Sequence, residues 1–295
     1  MVKGTGEFRL KNIEDMMKWS LEQKEEHALK RIKEFHKYVK GNIVIGFSGG
    51  KDSCVLRHLT HRLFPETKCV FANTTNEYVE IVKFVKNTPN VEWVSPLMNF
   101  SQTVAKYGFP LVSKKVARSI TDLRNPTENN FNSRNLYLTG IRRDGEKSKG
   151  SYKLAKKWYP LIDADFDTTN KCCDILKKEP MKRWQKQNPD YFFLDGTTIS
   201  EGGYRRMSWL KYGCNILDVD NPHSRPMSLF TEDDVWAYIK KYNVPYCDIY
   251  DDKVIDGILV KGEKRTGCRG CDFGVQFEKK DELNRFERQA LRSPK

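Results

Sequence analysis

Two sets of residues in this 295-residue chain have the types and spacing for chemistry. The first is Ser48-Gly49-Gly50-Lys51-Asp52-Ser53. It follows the apolar run Ile43-Val44-Ile45-Gly46-Phe47 and precedes a helical pattern of Cys54, Val55, Leu56, Leu59 and Leu63. Paired glycines let the backbone turn sharply and aim successive N–H groups at an anion. A helix opening at that point adds partial positive charge. Ser48 and Ser53 add hydroxyl donors, and Lys51 adds a full charge. The spacing is not that of a Walker A loop: Gly46 to Gly50 is one residue too short, and Asp52 stands where a magnesium-binding Ser or Thr belongs. It is not a dinucleotide fingerprint either.

The second set is cysteines. Cys172 and Cys173 are adjacent, and Cys268-Arg269-Gly270-Cys271 follows far downstream. A C-x-x-C turn brings two thiolates to one metal site. An adjacent pair strains a single tetrahedral zinc and suits a cubane, where each cysteine binds a different iron. On spacing alone, zinc, a redox dithiol and unliganded thiols stay open. Cys54 and Cys69 fall in apolar patterns and read as core, and Cys214 and Cys247 read as structural.

These residues need elements to position them. Apolar runs at 43–47, 69–72, 91–94, 136–138 and 191–194 read as strands, with helical stretches between most of them. That alternation predicts an α/β fold with an open, mainly parallel twisted sheet flanked by helices. Ligands bind such sheets at the carboxyl ends of the strands. Residues 12–40 read as one long charged helix with an apolar stripe of Ala28, Ile32, Phe35 and Val39. Residues 218–222 read as a linker or long loop. Thr231-Glu232-Asp233-Asp234 reads as a capped helix start, ended by Asn243 and Pro245. The expected division is a helical extension over 1–40, a nucleotide-binding α/β domain over 41–220, and a helical segment carrying the C-x-x-C over 221–295.

Lys plus Arg number 52 and Asp plus Glu 39, a net charge of +13. That surplus favours polyanionic partners, whether nucleotide or nucleic acid. Residues 142–157 alone hold seven Lys or Arg and two acids, either a solvated loop or the flank of an anionic site. Eight cysteines are too few for a disulfide scaffold and fit a reducing cytosol. No apolar run approaches the ~20 residues of a membrane span, and the start Met1-Val2-Lys3-Gly4-Thr5-Gly6 has no apolar signal core. A cytoplasmic location with no membrane contact is expected.

The segment Ser48 to Ser53 resembles the PP-loop of the adenine nucleotide α-hydrolase superfamily, whose members bind ATP or an adenylyl compound and act at the α-phosphate. Asn73-Thr74-Thr75-Asn76-Glu77 resembles the nucleoside-binding segment of its phosphoadenylylsulfate reductase family, and Gly108 to Lys115 is similar to another family stretch. Gly196 to Arg205 resembles that family's G-x-R-x-x-E-S-x-x-R element. Arg225-Pro226, Asp234 to Ile239 and Pro245-Tyr246 resemble its C-terminal segment. The likeness covers roughly residues 40–275 and implies an adenine nucleotide α-hydrolase-like fold. It assigns nucleotide binding to Ser48, Gly49, Gly50, Lys51, Asp52, Ser53, Asn73, Thr74, Thr75, Gly140, Gly196 and Glu201. It assigns catalytic roles to Lys51, Asp52, Lys177 and Arg205.

Cys172-Cys173-Asp174-Ile175-Leu176-Lys177-Lys178-Glu179-Pro180 is similar to the C-C-x-x-x-K-x-x-P stretch of adenylylsulfate reductases. The resemblance implies a [4Fe–4S] cluster on Cys172, Cys173, Cys268 and Cys271. Lys177 would lie between cluster and substrate, stabilising thiolates and a bound phosphate or sulfate.

Two departures shape the expected activity. Thr198 replaces the family arginine that contacts the sulfonucleotide's anionic end, with Arg205, Arg142 and Arg143 as compensating cations. No cysteine follows Cys271 before the end at Arg292-Ser293-Pro294-Lys295, so the tail thiolate of the reductases is missing from this sequence. The leading expectation is ATP pyrophosphatase chemistry, yielding AMP and pyrophosphate with magnesium, coupled to sulfur transfer. A nucleic-acid acceptor and a sulfur-donor protein would be its partners. The alternatives are an adenylylsulfate reductase borrowing a thiol from a thioredoxin-like partner, and a non-catalytic regulator that binds nucleotide or nucleic acid. Relatives of this kind are often dimers or larger, so a homo-oligomer is expected.

Overall fold

The computed structural model describes residues 6–150, 152–217, 219–273, 275, 278 and 282–292. The chain opens with α1 (Gly6–Met17) and α2 (Leu21–Tyr38). Residues 12–40 are therefore two helices rather than one. Ser20 accepts from the Gln23 N–H while the Gln23 side chain reaches back to the Ser20 N–H, so a reciprocal cap starts a new helix there. The stripe Ala28, Ile32, Phe35 and Val39 is buried along α2 and just past its end.

The α/β body follows as β1 (Ile43–Gly46), α3 (Lys51–His61), β2 (Cys69–Ala72), α4 (Val79–Lys86) and β3 (Val91–Val94). Next come α5 (Phe100–Tyr107), α6 (Lys114–Arg124) and α7 (Phe131–Thr139). The run 136–138, expected as a strand, lies inside α7. A short apolar run does not reveal its own period, and here only Tyr137 turns inward while Leu138 stays exposed. After α8 (Glu179–Gln187) come β4 (Phe192–Asp195), α9 (Gly203–Tyr212), β5 (Asn215–Ile216), β6 (His223–Ser224) and α10 (Glu232–Tyr242). A hairpin of β7 (Lys253–Ile255) and β8 (Ile258–Val260) precedes α11 (Arg285–Arg292).

The main sheet runs β3-β2-β1-β4-β6-β5, parallel throughout except for β5, which is antiparallel to β6. Side chains alternate across it. Ile43, Ile45, Cys69, Phe71 and Leu194 face a core shared with α2, α3, α4 and α10, whereas Val44, Val70 and Phe193 meet Trp184 of α8 on the other face. Residues on both sides of 40/41 and of 220/221 share the first core, and residues 219–222 lie in the turn of the β5–β6 hairpin, with 218 outside the described residues. Buried ions tie the outer helices: Lys24 reaches Asp234 at 2.7 Å, and Glu25 meets Arg62 at 2.5 Å and the Tyr242 hydroxyl at 2.7 Å. Among the described residues no helix is long and apolar enough to cross a membrane.

Candidate functional site

From β1 the chain runs outward to α3 and then to β2 and β3 on one side, while β4 lies on the other. The β1–β4 crevice is thus the switch point of the sheet, where open α/β sheets bind ligands. A cleft of about 520 Å³ opens there. Its floor is the turn Ser48–Ser53, and its far wall is Asp195-Gly196-Thr197-Thr198 after β4.

The loop holds its own shape. Gly49 sits at φ +70°, and a Cβ there would come 2.7 Å from the Val85 Cγ2. Gly50 caps α3 without a side chain. The Ser53 hydroxyl donates to the Gly50 carbonyl at 2.8 Å and accepts the Ser48 N–H at 3.2 Å. The Gly50 N–H donates to the Ser48 Oγ at 3.2 Å, and the Lys51 N–H to the Tyr250 hydroxyl at 3.2 Å. Gly196 backs onto this turn: a Cβ on it would stand 3.2 Å from the Asp52 carbonyl.

Lys51 is almost fully buried. Its Nζ lies 3.3 Å from the Glu232 Oε1, 3.8 Å from the Asp52 Oδ2 and 3.3 Å from the Lys264 carbonyl. The cleft also holds Asp195, Glu201, Arg205, Arg265 and Thr266. Burial pushes the Asp52 carboxyl above its usual range, with Lys51 opposing. Burial does the same to Asp195, against His223, Arg225 and Arg205. Burial lowers Arg205, helped by Arg225 and Arg265, while Arg205 pairs with Glu201. Thr198 is buried and acts as a cap. Its N–H donates to the Glu201 Oε2 at 3.2 Å, and its hydroxyl meets the Ser200 Oγ at 2.8 Å.

Sequence reasoning missed Asp195, Glu232, Tyr250, Arg265 and Thr266. Only Asp195 carried a local signal, as the residue at a strand's carboxyl end just before Gly196. Glu232 sits in the cap motif that starts α10, which signals a helix rather than a site, and Tyr250, Arg265 and Thr266 arrive from distant segments.

A second cluster lies over the carboxyl end of β2. Asn73, Thr74 and Thr75 stand here and do not line the phosphate cleft. The Cys268 thiol donates to the Thr74 Oγ1 at 3.5 Å, and the Thr74 hydroxyl donates to the Glu77 Oε1 at 2.8 Å. Lys177 approaches Glu77 at 3.7 Å from the π-helical turn Asp174–Lys178, directly after Cys172 and Cys173. The four thiols share one electrostatic neighbourhood with Lys177. The Cys172 thiol's hydrogen bond holds Cys173 below the usual thiol range, with Lys114 and Lys177 adding positive charge. Burial raises Cys268 to about 11 against Lys177.

Among the described residues no three His, Cys, Asp or Glu side chains converge as one metal ion requires. A single zinc draws its ligands to one point, whereas a four-iron cubane takes one thiolate at each corner. The four cysteines come from two chain segments, and Cys173, Cys268 and Cys271 all act on the Cys172 thiol; thiolates from two segments are the donor type that a cubane takes.

One loop joins the two clusters. Gly262 packs so tightly on Tyr250 that a Cβ would overlap its carbonyl, and the Glu263 N–H donates to the Ile249 carbonyl at 2.9 Å. Arg265 and Thr266 enter the phosphate cleft, and Cys268 and Cys271 follow. The Arg269 N–H donates to the Asn76 carbonyl at 2.7 Å, and the Asp272 carboxylate accepts from the Val112 N–H at 2.6 Å. Gly140 is apart from both clusters: it ends α7 at φ +80°, beside Lys153.

A family model for the phosphoadenosine phosphosulfate reductase domain matches residues 42–159 and 148–272. Two uncharacterized proteins of Methanocaldococcus jannaschii are similar to this chain. One is 24% identical over 279 residues, covering 92% of this chain and 53% of the relative. The other is 28% identical over 253 residues, covering 84% and 39%. The chain thus spans about half the length, or less, of the curated relatives it matches.

Among solved structures, a phosphoadenylyl-sulfate reductase from Candida auris in a phosphate complex aligns with TM-score 0.44 at 13% identity, over 85% of this chain and 95% of that one. An FMN adenylyltransferase from Candida glabrata aligns with TM-score 0.42 at 11% identity, over 90% and 70%. The U34-tRNA thiolase NcsA of Methanococcus maripaludis, with its [4Fe–4S] cluster, aligns with TM-score 0.33 at 14% identity, over 73% and 65%. With the family model running from the first strand to just past the C-x-x-C, and the Ser48–Ser53 turn at the switch point of its sheet, the chain belongs to the phosphoadenosine phosphosulfate reductase family of PP-loop proteins.

Proposed function

We propose that the chain uses ATP to activate an acceptor for sulfur transfer. An acceptor oxygen attacks the α-phosphorus of ATP, the bond from that phosphorus to the oxygen bridging the β-phosphate breaks, and pyrophosphate leaves. Hydrosulfide supplied by a donor protein then attacks the carbon that bears the adenylylated oxygen, the carbon–oxygen bond breaks, and AMP departs with that oxygen.

The observation that carries this choice is the charge of the cleft. Asp52, Asp195, Glu201 and Glu232 stand against Lys51, Arg205 and Arg265, and both Lys51 and Arg205 are already ion-paired. A sulfonucleotide entering alone meets a carboxylate surplus, and Thr198 offers it no charge. ATP arrives with magnesium, which binds through one or two carboxylates and the substrate's own phosphates. Asp52 and Asp195 are oxygen donors of that kind.

In this reading Ser48, Gly49, Gly50 and Ser53 cradle phosphate, with Gly196 leaving them room. Lys51 exchanges Glu232 for phosphate and neutralises the charge that grows in the transition state. Arg205 and Lys177 hold the anionic substrate. Asn73, Thr74 and Thr75 bind the nucleoside from the neighbouring strand. Cys172, Cys173, Cys268 and Cys271 would hold a [4Fe–4S] cluster, which when bound supplies redox or Lewis-acid chemistry at that end of the site.

The test is product identification on anaerobically purified protein given ATP and adenylylsulfate in parallel, each with magnesium and a thiol reductant. AMP and pyrophosphate are expected from ATP, with water taking the place of the acceptor oxygen, and no sulfite from adenylylsulfate. AMP and sulfite from adenylylsulfate would overturn the proposal in favour of a reductase with a thioredoxin-like partner, a reading the family match itself favours. Tight nucleotide binding without turnover would point instead to a regulator.

A further inference from the structure

The stretch between β3 and the thiol pair, residues 100–171, holds fourteen Lys or Arg against seven Asp or Glu. Three of those acids are engaged locally, in the pairs Arg118–Asp122, Arg124–Asp167 and Arg142–Asp144. Arg143, Lys147, Lys149, Lys153, Lys156 and Lys157 are all exposed, and among the described residues they make no ion pair. Six unneutralised cations within fifteen residues repel one another unless a polyanion lies across them. Large rings are exposed on the same stretch: Phe131 at 64%, Tyr152 at 49% and Phe109 at 48%. Cations ride on some of its rings, with Lys115 over Tyr152 at 4.8 Å and Lys157 over Trp158 at 4.8 Å.

This surface leads into the site. Adjacent residues at the start of α6 serve two surroundings: Lys114 adds positive charge at Cys173, and the Lys115 Nζ lies over the Tyr152 ring. The loop before α6 is pinned through Val112 to Asp272, next to Cys271.

We infer that residues 109–157 form a docking surface for a single-stranded loop of RNA, which delivers the acceptor to the thiol site. The inference rests on the sulfur-transfer reading for what is delivered, and on the surface alone for what binds. Phosphodiester charges recur at every nucleotide, a density that six neighbouring cations match and that scattered carboxylates on an acidic protein do not. Exposed ring faces stack on unpaired bases, whereas a duplex buries its base faces in its own stack. Unpaired bases in loops and bulges are the ordinary condition of folded RNA.

The test uses the full chain, purified anaerobically, and a labelled RNA stem-loop with an unpaired loop. The comparison probes are the same sequence as DNA, a blunt RNA duplex and phosphatidylserine vesicles. Tyr152→Ala and Phe131→Ala each remove an exposed ring at little risk to folding. Each is expected to weaken stem-loop binding roughly tenfold, the order of one lost base–ring stack. A chain carrying Lys153→Glu, Lys156→Glu and Lys157→Glu should flatten the log–log salt dependence by about two units, at ~0.7 per phosphate contact.

Hydrolytic pyrophosphate release from ATP, with water as the attacking oxygen in place of the acceptor, is measured on the same samples and should not change. If ATP turnover is absent in every sample while these binding differences hold, the surface stands and the reading of the cleft falls. Equal binding by wild type and variants, or tighter binding to duplex, DNA or vesicles than to the RNA loop, overturns the inference.

Discussion

Lys51 keeps its charge inside the protein by leaning on Glu232, so nucleotide entry must swap one anion for another at the same Nζ. Lys51→Ala removes the cation and should lower pyrophosphate release by at least ~100-fold, the usual cost of losing one preorganised electrostatic contact. Unchanged release would move the site elsewhere. Gly49 makes a second single-residue claim. At φ +70°, with the Val85 Cγ2 only 2.7 Å from where a methyl group would stand, Gly49→Ala adds both backbone strain and a clash. A loss of about 1–3 kcal/mol is expected in urea titrations, accompanied by weaker nucleotide binding. Both residues stood out in the sequence because their motif is local. Asp195 carried only its place at a strand's end, because a carboxylate there becomes a cleft residue only once β4 lies beside β1.

Among the elements, α2 carries a pH dependence. His27 packs near Trp19 and the Cys214 thiol, and burial, with Arg31 and Lys30 adding repulsion, lowers it to about 4. A folded-state value below the unfolded one means that the unfolded chain takes up the proton first as pH falls. The stability from keeping His27 neutral is therefore complete above about pH 6.5 and is lost on acidification toward pH 4. After discounting for partial exposure, the loss amounts to about 2 kcal/mol or less. Urea unfolding across this window should show a shallower slope for His27→Gln than for wild type. If both slopes match, His27 is not the titrating group. The same helix shows why one expected long helix became two: a cap at Ser20 and Gln23 outweighed a continuous charge pattern.

For the whole molecule, the loop from Gly262 to Asp272 is the physical link between phosphate and thiols. It is held at one end by the buried pair Glu263–Arg288, at 2.8 Å, and in the middle by Asn76 and Arg269. Helix α11 supplies Arg288 and also Gln289, whose side chain bonds the Gly270 N–H at 3.1 Å and the Tyr78 hydroxyl at 2.7 Å. Anaerobic wild-type protein should carry about four iron and four sulfide per chain. Cys268→Ser should lose most of that iron while pyrophosphate release from ATP persists, because activation uses the other end of the loop. Iron content unaffected by this change would remove Cys268 from the ligand set.

The sequence by itself determined the alternation of strands and helices, the turn that follows the first strand, and the types of the four paired cysteines. Each is a local pattern of period, spacing or backbone freedom, readable from neighbours along the chain. Only the tertiary structure decided that Thr74 meets the Cys268 thiol, that Gly140 stands apart, and that Tyr250, Arg265 and Thr266 line the cleft beside the Ser48–Ser53 turn. It also brought residues of α2, α3 and α10 into one core. Contacts between residues some two hundred positions apart, such as Lys51 with Tyr250, arise from how the sheet is wound and what packs across its edge. No local pattern encodes them.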